Sequence, residues 1–454
     1  MLQTLPTRDR VSAKGTFVPN PKAEKLIAKT WENNTHSDYT EKIEDLGRNF
    51  SYSSDRECYW SDPEISLLYG TPLYDRASES QKLALNHLYW LKLYQGVTAT
   101  EIGAIIYNQI AGSLFELVGG CDTLCQELEL ETSQEKIHVA TFQKVCTKLK
   151  FALLGKTFIG SSQSLKSQKR SSKHWTETWL DNGLRSISKV MLRDYADYYS
   201  PFLQELETKG QLSQVPTYGV SSRIGSAAQL KFFTYNIGSS PFLACQAFTI
   251  RFAANVLLKG QELCYSKHFL KLERNGDFIP APTAISRYHF LDESFHTIVS
   301  QTLAKEFYKN FPKPNAYEKW VANQMFSNMQ ASLLGGLSGV LPGRFVKDSE
   351  EFMYFFYKVL RSPLFAMSGK EALSWIEQCF CHEHEGFHVT LKYHKRLLAE
   401  FRQVFGKVDY LSPENREFRL MAASGSIGVA IQENIKTYEQ FSRSLSEKTG
   451  ERQL

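Results

Sequence analysis

Two short motifs in this 454-residue chain could hold a metal: Glu135-Lys-Ile-His138 and Glu293-Ser-Phe-His296. Each sets a carboxylate and an imidazole three residues apart, so on a helix both side chains fall on one face. Taken singly, the signal is weak. With 11 His and 48 acidic residues, chance places an acidic residue three positions before a histidine about once in such a chain. A dimetal site in a four-helix bundle asks for much more. It needs one Glu from each of two helices and a Glu-x-x-His from each of the other two, all projecting at one depth.

The chain meets that demand twice. Glu101 lies 18 residues before Gly119 and Glu135 lies 15 after Gly120, which puts them roughly 27 and 22 Å from the turn and within one helical pitch of each other. Glu116, only three residues from that turn, could not reach the same depth. In the second half, Glu262 precedes the RNGDFIPAP turn by about the distance at which Glu293 follows Pro282. His289 stands one turn before Glu293 and two before His296, so HFLDESFH presents three ligands in one stripe. The expected metal ligands and catalytic centre are therefore Glu101, Glu135, His138, Glu262, His289, Glu293 and His296. A Glu-rich, His-poor set favours iron, or manganese, over zinc or copper. Two iron ions that activate dioxygen are the expected use. Such a centre also needs partners that orient each imidazole; Tyr107 and Asn108 are near enough to serve, although packing explains them as well.

Helical periodicity positions these groups. Residues 79–118 carry apolar side chains at three- and four-residue spacing, with a serine start, a Gly119-Gly120 stop and a candidate break near Gly96. Further helices are predicted at about 122–154, 173–208, 225–236, 241–273 and 282–309, the last with Pro282 in its first turn. FMYFFYKVLRS, 369–405 and 413–445 follow. Residues 1–75 mix Pro, Asn, Ser and charge and read as an irregular arm, with one short helix near 21–31. The expected organisation is all-α: an arm over 1–75, a bundle over 76–310 and a C-terminal helical layer over 311–454 packed on it.

Composition excludes several classes. The net charge of +5 is mild and gives no reason to expect nucleic acid as a partner. Its basic excess gathers in SSQSLKSQKRSSKHW, a solvated loop that could also meet an acidic partner such as an acyl carrier protein. Eight cysteines without a close CxxC pair fit reduced thiols in a cytoplasm. The first residues lack the apolar core of a signal peptide, and no run is expected to approach membrane-spanning length.

E101, E135KIH138, E262 and H289FLDESFH296 resemble, in order and approximate spacing, the ligand pattern of the p-aminobenzoate N-oxygenase family. That resemblance covers about 200 residues. It implies a ferritin-like four-helix di-iron bundle with additional C-terminal helices, and an external electron donor, a reductase or ferredoxin. The extra length and the helix around EIGAIIYNQIAG look more like the dimetal-carboxylate halogenases of the cylindrocyclophane chlorinase (CylC) type. This second resemblance implies chloride as co-substrate and chlorination of an unactivated C–H in a fatty acyl chain carried on an acyl carrier protein. Arylamine N-oxygenation and acyl hydroxylation or desaturation are the alternatives at the same site. A homodimer is the candidate assembly.

A rival signal lies in His384-Glu385-Gly386-Phe387-His388, which matches the HExxH helix of zinc metalloproteases. Gly386 weakens that helix, no downstream histidine completes a metzincin pattern, and a polar helix face accounts for the cluster with His382. A mineral-storing protein on the same bundle would ordinarily be a shorter chain.

Overall fold

The computed structural model describes residues 20–160, 174–211 and 226–449. Most of the basic loop SSQSLKSQKRSSKHW, residues 161–173, lies outside them. The described residues form α-helices, a few short 3-10 turns and no strand, in agreement with the all-α expectation.

Two long hairpins make the centre. Helix α5 (Glu79–Val118) and helix α6 (Asp122–Gly160) form the first, and helix α10 (Pro241–Asn275) and helix α11 (Ala281–Lys305) the second. Their ends are chemically fixed. Ser78 and Gln81 close a reciprocal capping box at the start of α5, and Gly119 stops it with φ 75°, a conformation that costs other residues strain. At the second turn Gly276 takes the left-handed conformation and Pro282 opens α11. No break occurs near Gly96; the helix runs through it. Regular geometry in α6 ends before Gly155, as the sequence suggested.

The four helices surround one interior, with α5 against α6, α10 against α11 and α5 against α10. The side between α6 and α11 is filled by the N-terminal region. Instead of an irregular arm, this region folds as α1 (Pro21–Thr35), α2 (Tyr39–Asn49), α3 (Tyr52–Asp55) and α4 (Pro72–Arg76), with α1 and α2 both packed on α6 and α11. Their buried faces include Thr30, Asn34, Thr40 and Gly47. The helix expected near 21–31 is present as α1; in α2 small and polar buried residues leave little hydrophobic period to read, so the sequence did not show it.

Between the hairpins run α7 (His174–Met191), α8 (Pro201–Thr208) and α9 (Ala227–Ile237). After them come α12 (Ala316–Leu333), α13 (Glu350–Arg361), α14 (Gly369–Cys381), α15 (Glu385–Phe405), α16 (Pro413–Arg416), α17 (Arg419–Ala423) and α18 (Ile427–Thr449). Helix α12 escaped the sequence reading although Asn315 and Glu318 form a capping box and Val321, Ala322, Met325, Phe326 and Met329 bury at helical spacing. The single segments expected at 369–405 and 413–445 are each interrupted. Helix α10 is long and apolar enough to cross a membrane by composition, contrary to the expectation that no run reaches that mark. It is here a bundle helix, with Phe242, Phe248, Phe252 and Tyr265 buried. Both hydrophobic clusters draw on residues before, within and after the hairpins. None of the eight cysteines is bridged.

Candidate metal centre

The bundle delivers the seven expected residues to its interior from four directions: Glu101 on α5, Glu135 and His138 on α6, Glu262 on α10, and His289, Glu293 and His296 on α11. All are buried. Donor atoms of Glu101, His138, His289 and Glu293 converge within 4.8 Å of one another, as do those of Glu135, Glu293 and His296, so Glu293 belongs to both groups. His289 Nε2 lies 2.9 Å from Glu101 Oε1, and His296 Nδ1 lies 2.8 Å from Glu293 Oε1 and 3.4 Å from Glu135 Oε1.

Glu262 stands apart from both groups. Its Oε1 lies 2.6 Å from His289 Nδ1 and accepts a hydrogen bond from the Tyr94 hydroxyl at 2.6 Å. Its place is behind His289, on the ring nitrogen opposite the one that faces Glu101.

Charge is concentrated here. Glu101, Glu127, Glu131, Glu135, Glu262, Asp292 and Glu293 are all buried. Among the described residues, Arg251 supplies the only guanidinium or ammonium in ion-pair contact with any of them. It donates to Glu135 Oε1 at 2.9 Å, to Glu131, and to Asn108 Oδ1 at 3.0 Å. Burial and the neighbouring Glu135 push Glu101 up to about 7. Burial works against the imidazolium forms, yet the carboxylates around them win. His138 rises to about 9, and His289 and His296 well above the ordinary range. Glu135 is held well below its ordinary value: burial opposes this, but contacts with His138, His296 and Arg251 prevail.

Orphaned atoms remain. Glu101 Oε2, Glu135 Oε2 and Glu262 Oε2 are buried without a hydrogen bond, and the ring nitrogens of His138 meet Glu135 at 3.6 Å and Asp292 at 3.0 Å as ion contacts outside hydrogen-bonding geometry, which is costly in a low-dielectric interior. Hard oxygen and imidazole donors, negative in excess and short of partners, fit divalent cations of the first transition row.

On the side facing α5 and α10, the cluster borders a cavity of about 250 Å³. Glu101, Glu135 and Glu293 line it together with small residues such as Gly103, Ala104 and Ala254 and apolar ones from α9 and α12. Its wall on α5 runs from Gly96 to Asn108, roughly 18 Å of helix. The small side chains leave room for the cavity between the two helices.

The family description "acyl halogenase CylC-like" matches residues 22–442, nearly the whole chain. The chain belongs to the CylC-like acyl halogenase family. Comparison with curated proteins and with solved structures returns no match. Membership in this halogenase family makes the protein an enzyme of halogenation and agrees with the second of the two resemblances seen in the sequence.

In this CylC-like chain the two histidines of the HExxH segment do not ride on one helix. His384 is extended, with φ −157° and ψ 172°, and precedes α15 instead of riding on it. Its Nε2 lies 2.7 Å from the Cys379 carbonyl oxygen, while exposed His388 pairs with Glu383 at 3.0 Å. Gly386 explains the local sequence, since a Cβ there would press on the carbonyl oxygens of Gly339 and Tyr69.

Sequence reasoning missed several groups around the centre. Asp292 Oδ2 lies 3.0 Å from His138 Nε2, and Gln134 Oε1 lies 3.2 Å from His296 Nε2. Asn34 on α1 donates to Gln134 and Glu127, both at 3.1 Å. Arg251 was visible as the lone charge in the apolar run PFLACQAFTIRFAANVLL. Asp292 was visible one turn after His289. Of the two orienting candidates, Asn108 touches the network through Glu131 and Arg251, whereas the Tyr107 hydroxyl meets Thr234 at 3.5 Å.

Proposed function

We propose that this family member is a non-haem di-iron oxidoreductase that chlorinates an unactivated C–H of a fatty acyl chain presented by an acyl carrier protein. The observation that carries the reading is the contact between an apolar cavity and a buried carboxylate–imidazole cluster, with Glu101, Glu135 and Glu293 belonging to both. A saturated chain offers no polar handle, so a narrow apolar channel is what can position one carbon against the cluster.

Glu101, His138, His289 and Glu293 would hold one ion, and Glu135, Glu293 and His296 the other. Iron bound there would supply the redox power for dioxygen reduction and C–H oxidation, with electrons from a reductase or ferredoxin and chloride as co-substrate. Glu262 and Tyr94 fix the ring of His289 from behind, so that Nε2 stays turned toward Glu101. Asp292 constrains His138 similarly. Arg251 keeps Glu135 ionised and available as a ligand. The apolar cavity walls exclude water from the reacting carbon, which favours halogen transfer over hydrolytic side reactions.

The test combines metal content with product mass. Protein loaded anaerobically with ferrous iron, then given oxygen, chloride and acylated carrier protein, is expected to hold two irons per chain and add the mass of one chlorine for hydrogen. A gain of oxygen would replace halogenation by hydroxylation, and a mass unchanged on any acyl substrate, or a single zinc, would overturn the reading.

A further inference from the structure

Beside Gln261 the cavity is lined by a cation, Arg344, that no carboxylate among the described residues pairs. Arg344 lies in the irregular stretch between α12 and α13, and that stretch is firmly anchored. Tyr89 donates to the Pro342 carbonyl at 2.6 Å, Gly343 N donates to Thr390 Oγ1 at 3.3 Å, and Arg344 N donates to the Leu341 carbonyl at 3.1 Å. The side chain is steered as well. Arg344 Nη1 donates to Gln261 Oε1 at 2.9 Å, and Gln261 Nε2 donates back to the Gly343 carbonyl at 3.3 Å. One donor of five is thereby used, while Arg344 and Gln261 both line the cavity.

Arg251, on the same cavity, meets Glu131 and Glu135; no acid among the described residues forms an ion pair with Arg344. Lys92, outside the cavity lining, adds only a partial charge, because burial first, then Lys150 and Arg344, hold it down to about 7. It is buried, sits over the Phe355 ring at 4.5 Å and the Phe352 ring at 5.3 Å, and is close enough to Arg344 and Lys150 for mutual repulsion. Arg344 and the carboxylates of Glu101, Glu135 and Glu293 thus line one largely apolar cavity. Cations gathered at low dielectric without counter-charge are costly, and a ligand that brings the missing charge relieves the cost.

We propose that Arg344, oriented by Gln261, binds a monovalent anion in the cavity. Two sources share that chemistry: a free halide, and the carboxylate of a fatty acid released from its carrier, whose alkyl part occupies the cavity in place of the carrier-bound chain. The inference rests on reading the cavity as the substrate chamber, and it needs no metal to be tested.

The experiment is calorimetric titration of the full chain, in buffer free of halide and carboxylate, with sodium bromide and separately with dodecanoate. The variants are Arg344→Gln and Arg344→Lys. Loss of a charge-assisted contact is expected to weaken binding about tenfold or more in Arg344→Gln, with much of the affinity kept in Arg344→Lys. Weakening of bromide alone assigns the site to halide, and weakening of dodecanoate alone to the acyl carboxylate. If wild type binds neither anion, or Arg344→Gln binds both as wild type does, the proposal is overturned. Should Arg344→Gln fail to fold, crystals of wild type soaked in bromide decide, by an anomalous peak at the guanidinium or its absence. Iron content of the same wild-type preparation reports on the di-iron reading separately, so the two can fail independently.

Discussion

Asp292 Oδ2 lies 3.0 Å from Nε2 of His138 and accepts a 3.2 Å hydrogen bond from Thr40 Oγ1, so helix α2 reaches the candidate metal centre through one carboxylate. Groups that hold a ligand from behind usually change metal affinity by 10- to 100-fold. Asp292→Asn is expected to weaken metal binding by about that factor, and Thr40→Val by less. A cobalt(II) titration followed by its visible absorption would show it. Wild-type affinity in Asp292→Asn would mean that the contact does not position His138.

Glu135→Ala and His296→Ala should each lose at least one of the two metal ions and abolish turnover, since each removes a donor from the group that shares Glu293. His388→Ala should keep full metal content, because its partner is exposed Glu383. Elemental analysis of the three variants is decisive: equal metal loss in all of them would restore the C-terminal histidines as ligands.

Proton linkage gives a pH signature for metal-free protein. His138 moves from 6.5 to about 9 on folding and Glu101 from 4.5 to about 7, so in both windows the folded chain holds protons that the unfolded chain releases. Their contribution to stability then falls as pH rises through them, opposed in the upper window by Lys92, which burial holds down to about 7. The contribution of His138 is complete below 6.5 and gone above about 9. Depressed Glu135 and Glu293 act at lower pH, where their contribution is lost on acidification. Thermal unfolding is expected to show a lower Tm near pH 9 than near pH 6 without metal, and bound metal should flatten that slope by displacing the protons. A metal-free Tm that climbs over this range would contradict the assignment.

Gly103 lines the cavity, and a Cβ built there meets nothing within 4 Å. Gly103→Ala is therefore expected to stabilise helix α5 by about 0.5–1 kcal/mol, measurable by denaturant unfolding. Gly103→Phe should fill the channel, leave metal content unchanged and lower kcat/KM for long acyl chains by about tenfold or more. Equal activity on all chain lengths would place the substrate elsewhere.

The convergence of these side chains was legible in the sequence because helical geometry converts spacing into position. Four long helices with Gly119 and Gly276 at their turns fix the relative depth of Glu101 with Glu135 and of Glu262 with Glu293, and His289, Glu293 and His296 must share a face. Other features depend on how separate helices rotate and pack, which no local spacing records. Tertiary packing alone set Glu262 behind His289, brought Asp292 to His138 and Asn34 to Gln134, and folded the N-terminal region over the gap between α6 and α11. It also stopped α14 at Cys381, so that His384 and His388 never share a helix face, and carried Arg344 to the wall of a cavity lined by residues from α5, α9, α10 and α12. Contacts between residues hundreds of positions apart are decided by the shape of the whole core, and only the folded chain contains that shape.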